Sequence, residues 1–255
     1  ISIKDSKVKF EKQKQNHALE LDGLMKINDE FNNFNLKNIY NPKKKEFTTS
    51  GKIDLTDSEV KILKLNYNKE NKISSNLSFN INYIYKNYYQ IKEIKYLDGE
   101  SHVYLSNIFF NKNFEITDFN SAKIKTYRNK IINNDFEIIK NKKIKLNGEI
   151  LDLQPILKSI YKKKKKKTLS KSFSAEVEAN IKKTIAGPED EVNEFSILAS
   201  INEGSYTKLN LKGNFSKDEL LNISINQINK DEKLLKVVSD RARPFMSNFK
   251  FIKGF

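Results

Sequence analysis

The residues whose types could support catalysis or metal binding are few and widely spaced. His17 and His102 lie far apart, and neither has a second metal-ligating residue at the spacing of a known site. The acidic run Glu189–Glu191 follows Gly187 and Pro188, and a solvated loop accounts for it better than a cation site. The chain has no cysteine, which excludes thiol chemistry, and it lacks phosphate-loop, HExxH and GxSxG motifs. We therefore predict a protein that is not an enzyme and that binds no cofactor or metal.

Basic and aromatic residues occur together in the segment Tyr83–Lys92, which contains four tyrosines and two lysines. Aromatic rings beside basic side chains are typical of surfaces that stack the bases of single-stranded nucleic acids. Arginine is scarce, however, and no ribonucleoprotein-type motif occurs. A tyrosine-rich sheet with amphipathic rings at its rim explains the segment better, so we predict no nucleic-acid partner.

The chain carries a formal net charge of +15, which is compatible with a nucleic-acid or anionic-membrane partner. Its lysines are scattered over the polar positions of apparent strands, and residues with A/T-rich codons dominate the sequence. Genome composition is therefore the simpler explanation. The six consecutive lysines Lys162–Lys167 repel one another and indicate a solvated loop, with a polyanion or lipid-headgroup contact as the functional alternative.

The elements that must position these residues are strands. The run Leu77–Tyr85 and the run Phe173–Ile181 alternate apolar with polar residues, and shorter alternations recur along most of the chain. Turn signals such as Asp98-Gly99 and Glu203-Gly204 separate the runs, and both are typical of hairpins. Because no long helical pattern alternates with the strands, we predict a mainly all-β fold with an antiparallel sheet.

Two short helices interrupt the strand pattern. Residues 152–161 have a capping Asp152 and an apolar stripe, and residues 240–251 form the second predicted helix. We predict three regions, which are an antiparallel sheet over 1–150, a short helix and Lys-rich loop over 151–167, and a β-meander over 168–255 that ends in the amphipathic helix. Whether the two sheet regions are one continuous sheet stays open.

The chain has 255 residues, of which 38% are hydrophobic and 31% charged, so it can bury a core. It begins at Ile1 and stops at Phe255 in the middle of a pattern, and we therefore expect a segment of a longer protein. No stretch approaches the roughly 20 consecutive apolar residues that a membrane-spanning helix needs.

Three C-terminal elements occur in a distinctive order. The first element is Gly148, followed by Leu151-Asp152-Leu153 and Pro155-Ile156-Leu157. A meander of four alternating runs comes next: Phe173–Ile181, Glu194–Asn202, Lys208–Phe215 and Leu221–Ile228. The last element is Ser239-Asp240-x-Ala242, with a final Gly254. In this order they resemble the AsmA-like family of Gram-negative envelope proteins, whose elements read G-x-x-hydrophobic-D-L-S-P-L-L and Ser-Asp-x-Ala. The chain departs from the family at Arg241, Arg243 and Pro244, where the commoner sequence continues Ala-Gly-Ala.

The resemblance implies a long, twisted antiparallel sheet folded into a trough, or β-taco, with one apolar face. Such proteins are thought to carry phospholipid across the periplasm between the inner and outer membranes. It implies that the acyl chains of phospholipid are the partner, and that segments outside this chain contact both membranes and tether the protein to the inner one. The residues that alternation would place in the groove are Leu77, Phe79, Ile81, Val177, Ile197, Ile201, Leu209, Leu211, Ile223 and Ile225.

Two other functions stay open at this point. One is an adhesive or scaffolding β-domain of the cell envelope with a closed, dry core. The other is a basic nucleic-acid-binding β-domain. The three hypotheses differ in what lies against the apolar strand faces, because only lipid binding needs those faces open.

Overall fold

The computed structural model describes residues 2–85, 87–155, 169–187, 190–229 and 232–241. It is nearly all β, with 73% of the chain in strands and 2% in helix, which confirms the predicted fold class. The alternating sequence explains this result, since successive side chains of a strand point to opposite faces and an alternating run gives one apolar face.

Eighteen strands form within the described residues. The first ten are β1 (Ile3–Lys12), β2 (His17–Ile27), β3 (Glu30–Asn41), β4 (Glu46–Asp54), β5 (Val60–Ile62), β6 (Tyr67–Lys69), β7 (Ser75–Ile84), β8 (Tyr88–Asp98), β9 (Ser101–Phe110) and β10 (Ile116–Asp118). The other eight are β11 (Ser121–Arg128), β12 (Ile131–Lys140), β13 (Ile144–Asp152), β14 (Ala175–Ile185), β15 (Glu191–Asn202), β16 (Ser205–Ser216), β17 (Glu219–Gln227) and β18 (Lys233–Ser239).

Sixteen of these strands form one large sheet, which is not closed into a barrel. Its order is β1-β2-β3-β4-β7-β8-β9-β11-β12-β13-β14-β15-β16-β17-β18, and β10 pairs with β9 beside this path. The remaining two strands, β5 and β6, pair with each other. Both predicted hairpins are confirmed, because β8 meets β9 across Gly99 and β15 meets β16 across Gly204, each glycine having a positive φ.

One pairing differs from the antiparallel expectation. Strands β13 and β14 run parallel, with Ile144 opposite Val177 and Leu146 opposite Ala179. Parallel neighbours cannot be joined by a tight turn, so residues 153–174 must cross over from one end of the pair to the other. The predicted boundary region 151–167 begins in the last two residues of β13 and continues in this crossover, and it stays a prediction.

The crossover includes the start of the first predicted helix. Gln154 and Pro155 are helical, and the Gln154 amide donates a 3.0 Å hydrogen bond to Oδ1 of Asp152, which is the predicted cap. The rest of that helix and the lysine run 162–167 lie outside the described residues. Of the second predicted helix, 240–251, the structure describes only Asp240 and Arg241, which are not helical.

The chain divides into two compact units. Unit 1 comprises Ile1–Ile62 and Tyr67–Ile124, and unit 2 comprises Leu63–Asn66 and Lys125–Phe255. The main division falls inside β11. Each unit therefore has its own strands and its own set of buried side chains.

The chain leaves the sheet after β4, and residues 55–74, which belong to unit 1 except for Leu63–Asn66, form an excursion before β7 begins. Lys69, in this excursion, is 2% exposed. Its ammonium group donates hydrogen bonds of 2.8, 3.1 and 2.9 Å to the backbone oxygens of Leu55, Thr56 and Ile73. Burial lowers the pKa of Lys69, and the three carbonyl oxygens compensate for the water that the ammonium group has lost.

In unit 2 a buried polar network surrounds the 3-10 turn Leu63–Leu65. Asn133 and Asn134 each donate from Nδ2 to the backbone oxygen of Leu65, at 3.0 and 2.8 Å. The Asn134 Oδ1 atom also accepts a hydrogen bond from the backbone amide of Asp152 at 3.0 Å, and its Nδ2 atom donates one to the hydroxyl of Thr126 at 2.9 Å. Every polar group of the Asn134 side chain is thereby used, as its complete burial requires.

Candidate functional site

The sheet in unit 1 has one apolar face, built from residues that lie opposite one another on neighbouring strands. The register aligns them in three rows. The first row is Phe34, Ile53, Leu77, Tyr96 and Val103. The second is Val8, Leu21, Leu36, Phe79, Ile94 and Leu105, with Gly51 between. The third is Phe10, Leu19, Ile81, Ile91 and Ile108, interrupted by Asn38 and Thr49.

The first of these three rows is the most buried, and exposure is greatest on the edge strand β1. Phe34 and Val103, in the first row, are each 7% exposed, whereas Val8 and Phe10 are 64% and 63% exposed. The predicted groove residues Leu77, Phe79 and Ile81 are half-buried. The second and third rows therefore receive only partial cover from the described residues, since their members are half-buried except for Val8, Phe10 and Leu19, which are exposed.

The excursion covers the first row through polar contacts. The rings of Tyr67 and Tyr96 meet edge to face at 5.8 Å, and their hydroxyl oxygens lie 2.8 Å apart. Both hydroxyls also donate to Oδ2 of Asp98, and Asn32 donates to the Ser58 hydroxyl at 2.8 Å. Burial raises the pKa of Asp98 and that of Tyr96. This end of the face is closed by hydrogen bonds that must stay in place for the excursion to remain docked.

The opposite end of the face carries a fourth row, which we call the aromatic row. The register places His17, Tyr40, Phe47, Tyr83, Tyr89 and Phe110 side by side. The rings of Tyr40 and Phe47 stack at 4.4 Å, and those of Tyr83 and Tyr89 at 4.6 Å. Phe114, from the loop after β9, stacks on Tyr89 at 4.4 Å.

The two histidines of the chain have separate surroundings. His17 belongs to the aromatic row, with its ring 6.2 Å from that of Tyr40, and His102 stacks on Tyr104 at 4.9 Å. Within the described residues, no group of three or more His, Cys, Asp or Glu side chains is placed to hold a metal ion. Asp190, from the acidic run, is buried and lies beside the end of β14, where the amides of Ala186 and Gly187 donate to its backbone oxygen.

Unit 2 has an apolar face of its own. One row is Ile144, Val177, Ala199, Leu209, Ile225 and Leu235, and the next is Leu146, Ala179, Ile197, Leu211, Ile223 and Val237. Ile201, opposite Ala175, lies on the same face. The seven groove residues predicted in this unit therefore share one face, although their role stays a prediction. Ile201 is buried and the other six are half-buried, while Leu235 and Val237 on β18 are 49% and 40% exposed.

The reverse faces are mainly polar in both units, although Leu198 and Val238 are exposed on that of unit 2. In unit 1, Lys37 pairs with Glu20 at 2.6 Å. In unit 2, Lys143 pairs with Glu178 at 2.9 Å, and the lysine lowers the pKa of that carboxyl. Exposed pairs of this kind contribute little stability, but they keep the reverse face in water. In each unit, therefore, the two faces of the sheet differ in composition, with charged and polar side chains on one and mainly apolar side chains on the other.

Sequence reasoning missed the excursion and most of the aromatic row. The only local sign of the excursion is that the alternation stops between Leu55 and Ser74. The tyrosine-rich segment pointed to Tyr83 and Tyr89, but the other members of the row lie on different strands and only the register aligns them. In the part of the chain that the structure describes, no helix has the length and apolarity needed to cross a bilayer. Comparison with protein-family models, with curated proteins and with solved structures finds no match.

Proposed function

We propose that this chain is a segment of an AsmA-like envelope protein whose apolar sheet faces bind phospholipid and let it pass between the inner and outer membranes. The observation that supports the proposal is the half-buried state of the apolar rows. A closed-core scaffolding domain would bury such rows under a second layer. In unit 1 the rows beyond the excursion are only partly covered, and in unit 2 the rows become more open from β16 to β18, although Ile144, Ala179 and Ala199 are buried. An acyl chain is a suitable cover for the open parts.

The apolar rows have few polar side chains, which matters for how a lipid would bind them. Transfer of an acyl chain from water gains about 0.8 kcal/mol per CH2, whichever apolar surface receives it. The rows consist of Leu, Ile, Val, Ala and aromatic side chains with few polar interruptions, so a chain finds similar contacts along them. Weak and repeated contacts favour sliding, and an isolated deep pocket would favour retention. We propose that the sheet forms the walls of a trough in the periplasm, tethered to the inner membrane by a segment outside this chain.

The test is lipid uptake and transfer by purified protein, with one apolar position per unit made charged. We expect Ile81→Asp and Ile225→Asp to reduce the uptake of labelled phospholipid about tenfold, because a carboxylate on the apolar face must lose its water when lipid binds. Their matched controls are Ser78→Asp and Ser224→Asp, on the polar faces opposite Lys95 and Lys236.

The controls should bind lipid as the parent chain does. Circular dichroism and thermal midpoints separate lost binding from lost folding, since Ile81 and Ile225 are half-buried and a folded variant is expected. A parent chain that neither co-purifies with phospholipid nor accepts it from vesicles would overturn the proposal. Equal loss in the variants and their controls would overturn it as well.

A further inference from the structure

Unit 1 is charged differently at its two ends. Four turns lie beside the aromatic row: Gln13–Asn16, Pro42–Lys45, Tyr85–Asn87 and Asn111–Glu115. Their described residues include Lys14, Lys43, Lys44, Lys45 and Lys112, against a single acid, Glu115, which accepts a hydrogen bond from Asn111 at 2.8 Å. At the other end, the turns 28–29 and 99–100 contain acids and no lysine, and the unit 1 part of the excursion is balanced, with lysines at 61, 69 and 72 and acids at 57, 59 and 70. We call the four turns and the aromatic row together the lysine end.

Asparagine side chains shape two of these turns. The Asn41 side-chain oxygen accepts the amide of Lys44 at 3.0 Å, which turns the lysine run 43–45 outward. The Asn111 side-chain oxygen accepts the amides of Asn113 and Glu115 at 2.9 and 3.1 Å. The lysines are therefore carried on ordered turns, all of them solvent-exposed.

Exposed aromatic rings lie among these lysines. Phe114 has a φ of 60°, in the left-handed region, and its ring is 60% exposed although one face stacks on Tyr89. Tyr85 and Phe10 are 53% and 63% exposed. A bulky residue with a left-handed backbone at a loop tip is conformationally strained. An aromatic ring that stays in water does not offset that strain by burial, so the ring is a candidate contact for a partner.

We propose that the lysine end of unit 1 docks on the surface of an anionic lipid bilayer. Exposed Phe and Tyr rings are favourable at the level of the lipid headgroups, where an apolar body and a polar tip both find partners. Lysines beside them gain attraction from anionic headgroups. The lysine end combines both, and it is the end of the apolar face that the excursion leaves uncovered.

Single-stranded nucleic acid is the competing partner, and the ring geometry disfavours it. Bases stack on free ring faces, whereas Tyr40, Phe47, Tyr83 and Tyr89 present their faces to one another. The lysine end also contains no arginine, the residue that reads and stacks on bases best. A bilayer needs ring edges, hydroxyls and point charges, and these are what this end presents.

The experiment is flotation of the full chain with vesicles of phosphatidylcholine, with and without phosphatidylglycerol, at low and at high salt. We expect binding only to the anionic vesicles, weakened by salt. Lys43→Glu, Lys44→Glu and Lys112→Glu together should weaken it at least about 100-fold, since each lysine near the surface contributes to the attraction. Phe114→Asn, which suits the left-handed backbone, should weaken it about tenfold.

The matched control reverses the same number of charges on the polar face of unit 2, in Lys208→Glu, Lys212→Glu and Lys236→Glu. This control should weaken flotation much less than the triple variant at the lysine end. Equal losses in both triples, or no flotation of the parent chain, would overturn the proposal. Tighter binding of a single-stranded oligonucleotide, lost in the same triple, would also overturn it and assign the surface to nucleic acid.

Docking and lipid uptake are separate outcomes. A chain that floats with vesicles but takes up no lipid supports this inference and contradicts the proposed function. A chain that takes up lipid but never floats with vesicles contradicts this inference and supports the proposed function. Circular dichroism of each variant shows whether the fold is intact.

Discussion

The two ends of the apolar face in unit 1 are built from the same strands and have opposite surroundings. At one end the excursion is held together by Lys69 and contacts the sheet through Tyr67, which meets Tyr96 and Asp98, and Phe34 and Val103 in the first row are buried. At the other end the aromatic row is half-buried and the lysines beside it are exposed. The same strands are therefore well covered by the excursion at one end of the face and only partly covered at the other.

The largest expected effect compares one substitution at the two ends. Phe34→Ala, under the excursion, should lower the free energy of unfolding by about 3–5 kcal/mol, because a buried ring is lost and a cavity remains. Phe10→Ala, with its ring already in water, should change it by less than about 0.5 kcal/mol. Urea unfolding of both variants measures the contrast. Similar losses at both positions would mean that the apolar face around Phe10 is covered in solution.

A smaller effect is expected at the excursion itself. Lys69→Met should cost about 2 kcal/mol, since three backbone oxygens lose their donor while the apolar stem is kept. Lys43→Met, on an exposed turn of the lysine end, serves as its control and should leave stability unchanged. Limited proteolysis would then cut residues 55–74 faster in the Lys69 variant alone. Equal protection in the two variants would show that the ammonium group does not hold the excursion.

The smallest expected effect is a pH dependence at the closed end. Burial raises the pKa of Asp98, so the stability linked to its neutral form is fully present below its ordinary pKa and is lost as pH rises through the raised value. Asp98→Asn cannot ionise, so its stability relative to the parent chain should increase as pH rises from about 4 to 7. Thermal midpoints of both chains across that range measure this difference. A constant difference would mean that Asp98 titrates as an exposed carboxyl does.

The sequence pattern predicted which face of its strand each residue lies on. It did not predict what packs against that face. Alternation placed Val177, Leu209 and Ile225 on one face because the pleat repeats every two residues wherever the strand pairs. The parallel pairing of β13 with β14 was missed because alternation is the same in parallel and antiparallel strands. The polar contacts were missed because they join distant residues, as when Asn66 donates to Asp152 at 2.7 Å.

The parallel step between β13 and β14 has a consequence for how the chain reaches its fold. On either side of it, most strands pair with the next strand along the chain through a short turn, and such hairpins form quickly because little chain entropy is lost in closing them. Bringing Ile144 opposite Val177 requires closure of the whole crossover first. We therefore expect two meanders that assemble early and independently, and a slower step that registers one against the other. During synthesis, the N-terminal meander would be complete before the residues that join it to its partner have left the ribosome.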